Sequence, residues 1–159
     1  MAFADATDLA YEQTFQDHWT DVFRFALAWT NDWAAAEDLA QEAFLRLWDH
    51  RRSVDWSESV LPWLLVATRR LATDRFRQIR RRLTMRSASP AGPSPDPAVQ
   101  VRWLDVAAAM NGLSPLERSA LVLTTLEGHT YDEAAVALGT TAGALRAAVS
   151  RARAKLENA

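Results

Sequence analysis

The chain of 159 residues is 49% hydrophobic and contains no cysteine and only three scattered histidines. This composition argues against a disordered chain and leaves no disulfide, no thiolate metal site and no zinc site of ordinary spacing. The net charge of −2 hides an asymmetry: residues 1–68 carry four basic and twelve acidic groups, and residues 69–86 carry eight arginines against Asp74.

The first unit reads as three helices. One is predicted from Leu9 to Thr30, with Phe15, Trp19, Val22, Phe23 and Ala26 at helical spacing. The second is predicted from Ala34 to Asp49, with Asn31 and Asp32 as cap residues. The third begins near Ser59, has Pro62 in its first turn and reaches Arg82. On it Leu64, Thr68, Leu71, Ala72, Phe76 and Ile79 are expected to face inward.

Ser87 to Gln100 (SASPAGPSPDPAVQ) holds four of the six prolines and reads as a flexible linker. Asp96-Pro97 can open a helix that ends near Asn111-Gly112. Ser114-Pro115-Leu116-Glu117 is a capping box with proline at the first helical position, opening a helix expected to end at Gly128. Thr130 to Glu133 is a second capping box, and its short helix ends at Gly139. Thr141 opens a last helix to about Glu157. Strand patterns are nearly absent. The fold expected is all-α: two small helical domains joined by a Pro/Ser-rich linker, the domains covering 1–86 and 101–159 and the linker 87–100.

The last two helices, joined by a tight glycine turn, fit a helix-turn-helix. Leu145, Ala148, Val149, Ala152 and Leu156 share one face of the last helix, and Gly143, Arg146, Ala147, Ser150 and Arg153 lie away from it. An αα-hairpin in a generic bundle fits the same pattern. The arginine cluster of residues 69–86 is a footprint for an anion, although a solvated helix end has the same composition.

No apolar run is long enough to cross a bilayer, and the N-terminus lacks a basic segment followed by an apolar one. A soluble cytoplasmic protein is expected. Carboxylates are plentiful, but none pairs with a histidine, a nucleophile or a phosphate-binding glycine loop in recognisable spacing. The expectation is therefore neither an enzyme nor a cofactor protein.

Three segments carry a resemblance: AEDLAQEAFLRLW (Ala36–Trp48), LPWLLVATRRLATDRFRQIRRR (Leu61–Arg82) and LSPLERSALVLTTLEGHTYDEAAVALGTTAGALRAAVSRARAKL (Leu113–Leu156). In this order they resemble the extracytoplasmic-function family of bacterial sigma factors. The resemblance implies a first domain that binds core RNA polymerase and opens the minus-ten promoter element. It implies a second domain that anchors on the minus-thirty-five element, with an anti-sigma factor as a further partner.

Residue by residue, the resemblance puts Asp38, Gln41, Glu42 and Leu45 on the polymerase clamp. It puts Arg52, Asp55 and Trp56, in the loop His50–Ser57 along with Arg51, near a flipped minus-ten base. On the third helix, Trp63, Arg69, Arg70, Thr73, Arg77, Arg80 and Arg81 gather on the outer side. Guanidiniums there can meet phosphates and flat groups can stack on unpaired bases; Trp63 fits the core as well. Thr141, Gly143, Arg146, Ala147, Ser150, Arg151 and Arg153 are implied at the minus-thirty-five element.

The chain departs from the family pattern in places. Arg70 stands where the family usually has an asparagine, and Ala147 and Ala148 where it usually has a serine and an arginine. Ala144 replaces a common threonine and Thr140 a common apolar residue. Two other functions compete: a helix-turn-helix regulator, which explains residues 113–157 alone, and a sigma mimic that titrates an anti-sigma factor.

Overall fold

A computed structural model describes residues 5–82, 105 and 107–159. Among them every regular element is helical: α1 (Ala6–Thr30), α2 (Trp33–His50), α3 (Leu61–Arg82), α4 (Pro115–Leu121), a π-helical turn (Val122–Leu126), α5 (Tyr131–Leu138) and α6 (Ala142–Glu157). The linker 87–100, the start expected at Asp96-Pro97 and the side chain of Arg80 lie outside the described residues.

Caps set the boundaries. Asp5 accepts from the Thr7 amide and starts α1 a turn before Leu9. Asn31 ends α1 in the left-handed region, at φ 51°, a conformation asparagine tolerates. Asp32 then accepts from the Ala35 amide and opens α2. Both capping boxes form, at Ser114/Glu117 and at Thr130/Glu133. Gly139 closes α5 at φ 64°.

The first three helices enclose Phe25, Leu39, Phe44, Leu47, Leu64 and Leu65, all essentially buried. Around Phe44 the rings of Phe15 and Trp19 lie 4.8 and 5.8 Å away. In the second unit, Leu123, Ala135, Leu138, Leu145, Ala148 and Val149 pack α4, α5 and α6 together. The two sets are not separate cores. They join into one cluster, because α1 packs on α4 and α3 packs on α5.

Two expectations need correction. Phe76 is 59% exposed and Ile79 is 49% exposed, not inward-facing. Among the described residues, burial along α3 ends with Ala72, so the helix outruns the core while its hydrophobic period continues. The helix opened by Ser114 also does not run as α-helix to Gly128. It widens into a π turn after Leu121, with the Glu127 amide donating to Val122 O at 3.1 Å and the His129 amide to Leu123 O at 2.9 Å. The wider turn leaves Leu126 at the surface and takes the Glu127 side chain inside.

Candidate nucleic-acid and polymerase interfaces

Three outward faces collect the residues singled out in the sequence. On α2, Asp38, Gln41 and Leu45 are exposed and Glu42 is half-buried. Leu45, at 61% exposure, is an apolar residue on an acidic surface. Glu42 pairs with Arg46 one turn on, at 3.4 Å, and Asp38 pairs across to Arg75 of α3 at 3.7 Å. Both are surface pairs, worth at most about 1 kcal/mol each, and neither hinders a partner that competes for the carboxylates.

On α3, Trp63, Arg70, Arg77 and Arg81 are exposed. Trp63 is therefore not a core residue; its ring lies 6.1 Å from that of His50, at the end of α2. Thr73 is half-buried and its hydroxyl donates back to Arg69 O. Arg69 is half-buried too. Its Nε donates to Ala137 O, 3.0 Å away in the last turn of α5.

The loop between α2 and α3 divides in two. Arg52 and Asp55 are exposed. Asp55 accepts from the Ser57 hydroxyl and amide, and these bonds hold its carboxyl below the usual carboxylate range. Trp56 is half-buried against the core and donates its indole N–H to Arg51 O at 2.9 Å. Arg51 lies over the Trp48 ring and pairs with Asp8 at 3.1 Å. Trp56 and Arg51 thus hold the loop's shape, and Arg52 and Asp55 are what it presents.

On α6, Thr141, Gly143, Arg146, Ala147, Ser150, Arg151 and Arg153 are exposed, while Leu145, Ala148, Val149 and Ala152 are buried. Arg151 and Lys155 both reach Glu117 of α4, at 3.3 and 2.9 Å. The Lys155 hydrogen bond, foremost, keeps the Glu117 carboxyl below the ordinary range despite its burial. Arg151 therefore fastens α6 to α4.

Arg146 lies over the Tyr131 ring, at 5.2 Å. With Arg153 it lines an open groove of about 450 Å³, together with Thr124, Thr125, His129, Thr130, Tyr131 and Asp132. Part of this lining is the N-terminal turn of α5, where the capping box takes up the Thr130 and Glu133 amides. Thr124, Thr125 and His129 carry no sequence signal of their own, because the π turn brings them there.

Residues 14–82 match the model for sigma-70 region 2, and residues 103–156 that for sigma-70 region 4. The two matches cover the helices that carry the three faces, in chain order. The chain belongs to the extracytoplasmic-function family of RNA polymerase sigma factors. The ECF RNA polymerase sigma factor SigM of Bacillus subtilis is 30% identical, with 94% of each chain covered. The "Probable RNA polymerase sigma factor RfaY" of Xanthomonas campestris is 40% identical over 147 residues; the match takes in 86% of this chain but 37% of that longer protein. Among solved structures, the sigma factor RpoE of Bartonella quintana, determined with the anti-sigma factor NepR, superposes with a TM-score of 0.77. It shares the fold at 24% identity, covering 93% of this chain and 94% of that one. As a sigma factor, this protein directs RNA polymerase to promoters for transcription initiation.

Among the described residues no helix is long and apolar enough to cross a membrane.

Proposed function

We propose that the three faces divide the work of initiation as follows. Asp38, Gln41, Glu42 and Leu45 of α2 dock on the polymerase clamp, where an exposed leucine ringed by carboxylates supplies both burial and charge selectivity. Arg70, Arg77 and Arg81 of α3, with Trp63 at one end, hold the melted minus-ten strand. Arg52 and Asp55 present the loop beside it. Thr141, Arg146, Ser150 and Arg153 of α6 settle on the minus-thirty-five element. Residues 1–86 and 101–159 act as the two working domains, and 87–100 is their tether. The protein works in the cytoplasm beside the polymerase, which carries out the nucleotidyl transfer. An anti-sigma factor is its regulatory partner.

The observation that carries this division is the coexistence, in one chain, of an acidic face on α2 and arginine-bearing exposed faces on α3 and α6. Run-off transcription with core polymerase tests it. Transcripts should appear only when the protein is added, and their aligned start sites should give both promoter elements. Promoter binding without initiation would leave only a helix-turn-helix regulator.

A further inference from the structure

One residue, Arg51, ties the loop between α2 and α3 to the first two helices. It follows the last residue of α2, and its guanidinium is engaged on three sides. Its Nη1 donates to Trp48 O at 2.9 Å, satisfying a carbonyl at the negative end of the α2 dipole. Its Nε donates to the Asp8 carboxylate at 3.1 Å, and its guanidinium carbon lies 3.7 Å from the centre of the Trp48 ring. Trp48 in turn meets the Tyr11 ring edge-on at 4.9 Å, and the Tyr11 hydroxyl donates to Phe44 O. The backbone of Arg51 does a second job: its carbonyl accepts the Trp56 indole N–H at 2.9 Å. Arg51 and Trp56 therefore bracket residues 52–55, the segment that carries Arg52 and Asp55.

An exposed ion pair adds little by itself. Here the pair with Asp8 is one side of a planar fork that also serves a carbonyl and an aromatic face, a combination an ammonium does not reproduce. Within the bracket the Ser53 amide and hydroxyl both donate to His50 O, which leaves the start of the loop little freedom. We propose that Arg51 is a positioning residue for minus-ten recognition: anchored on Asp8 and Trp48, it fixes the carbonyl that Trp56 grips and so sets the geometry in which Arg52 and Asp55 meet an unpaired base. The proposal rests on the assignment of this loop to a minus-ten base. Groups that read a base by hydrogen bonding must be held to within about 0.5 Å, and a surface loop reaches that precision when its ends are tied to rigid elements. Asp8, in the first turn of α1 and 43 residues from Arg51, thereby takes part in base reading without touching DNA.

Open-complex formation by the holoenzyme, on promoters varied one base at a time across the minus-ten element, tests this. The wild type should prefer one base at the loop's position, and Arg52→Ala with Asp55→Ala should abolish that preference. Arg51→Ala should lower it about tenfold, the scale of one base contact. Trp56→Phe keeps the ring and removes the indole N–H, and Asp8→Ala removes a partly exposed carboxylate; both should lower the preference in the same direction. Arg51→Ala added to the Arg52 and Asp55 substitutions should change it no further, because the residues act through one another. The salt slope of DNA binding, set by phosphate contacts, should keep its wild-type value in Arg51→Ala. A wild-type preference in folded Trp56→Phe or Asp8→Ala overturns the positioning role, even where Arg51→Ala fails to fold. A wild type without base preference, or one whose preference survives the loss of Arg52 and Asp55, overturns the loop assignment itself.

Discussion

The outer faces of α3 and α6 both point at DNA in this reading, yet they are made differently. On α3 the exposed cations Arg70, Arg77 and Arg81 recur along three turns. On α6 Arg146, Ser150 and Arg153 share the exposed surface with Gly143, Ala144 and Ala147. A row of guanidiniums grips phosphates whatever the sequence and makes binding strongly salt-dependent. A face of alanines has few donors, and must read thymine methyls and groove shape instead. One helix is thus suited to grip and the other to discriminate by fit. The domain contact further couples them, because Arg69 of the gripping helix is held by the domain that carries the other.

Ala148 is fully buried, whereas Ala147 is exposed. Ala148→Arg, the usual family residue, should destabilise the C-terminal domain by about 3 kcal/mol or more by burying an unpaired charge. Ala147→Ser should stay within about 0.5 kcal/mol while shifting promoter discrimination. Thermal melts followed by circular dichroism separate the two, and equal melting temperatures would mean that Ala148 does not pack as described.

The coupling between the faces should depend on pH through Glu127. Its side chain, 2% exposed, has no hydrogen-bond partner for either oxygen among the described residues. Burial first, then Asp21 of α1, pushes its pKa up to about 8, with Arg24 opposing; the His129 Nε2 lies 3.5 Å away. The packed form holds a proton that the opened or unfolded chain releases near the ordinary carboxylate value. Its stability is therefore full at acid pH, falls as pH rises through that range to about 8, and levels off above. Denaturant titrations across pH 5–9 should show this decline, and Glu127→Gln should flatten it. A wild-type profile as flat as the variant's would remove Glu127 from the account.

The grip itself is tested apart from docking. Glu42→Ala with Leu45→Ala should weaken core-polymerase binding by about 2 kcal/mol, the scale of an interface hot spot, with helix content unchanged. Normal affinity would take the α2 face out of the interface. A smaller loss of binding is expected on α3. Arg77→Ala should cost about 1 kcal/mol of DNA affinity and lower the salt slope by about one phosphate contact. An unchanged slope would show that Arg77 touches no phosphate.

Local signals were legible in the residues themselves. Ser114/Glu117 and Thr130/Glu133 announced two helix starts, Gly139 a turn, and the apolar period of α6 its buried face, because caps and periodicity depend on neighbours within a few positions. Those same local rules picked out the exposed positions of α6, but on α3 they placed Phe76 and Ile79 inside. Tertiary structure alone decided the rest. Phe76 and Ile79 continue a helical stripe, but only the extent of the core shows that α3 has run past it. Arg118 and Arg69 look like ordinary surface cations in a one-dimensional string. Their partners, the carbonyls of α1 and α5, lie 90 and 68 residues away. A carbonyl carries no sequence signature, and whether a helix end is left open or filled from another domain depends on how the domains pack.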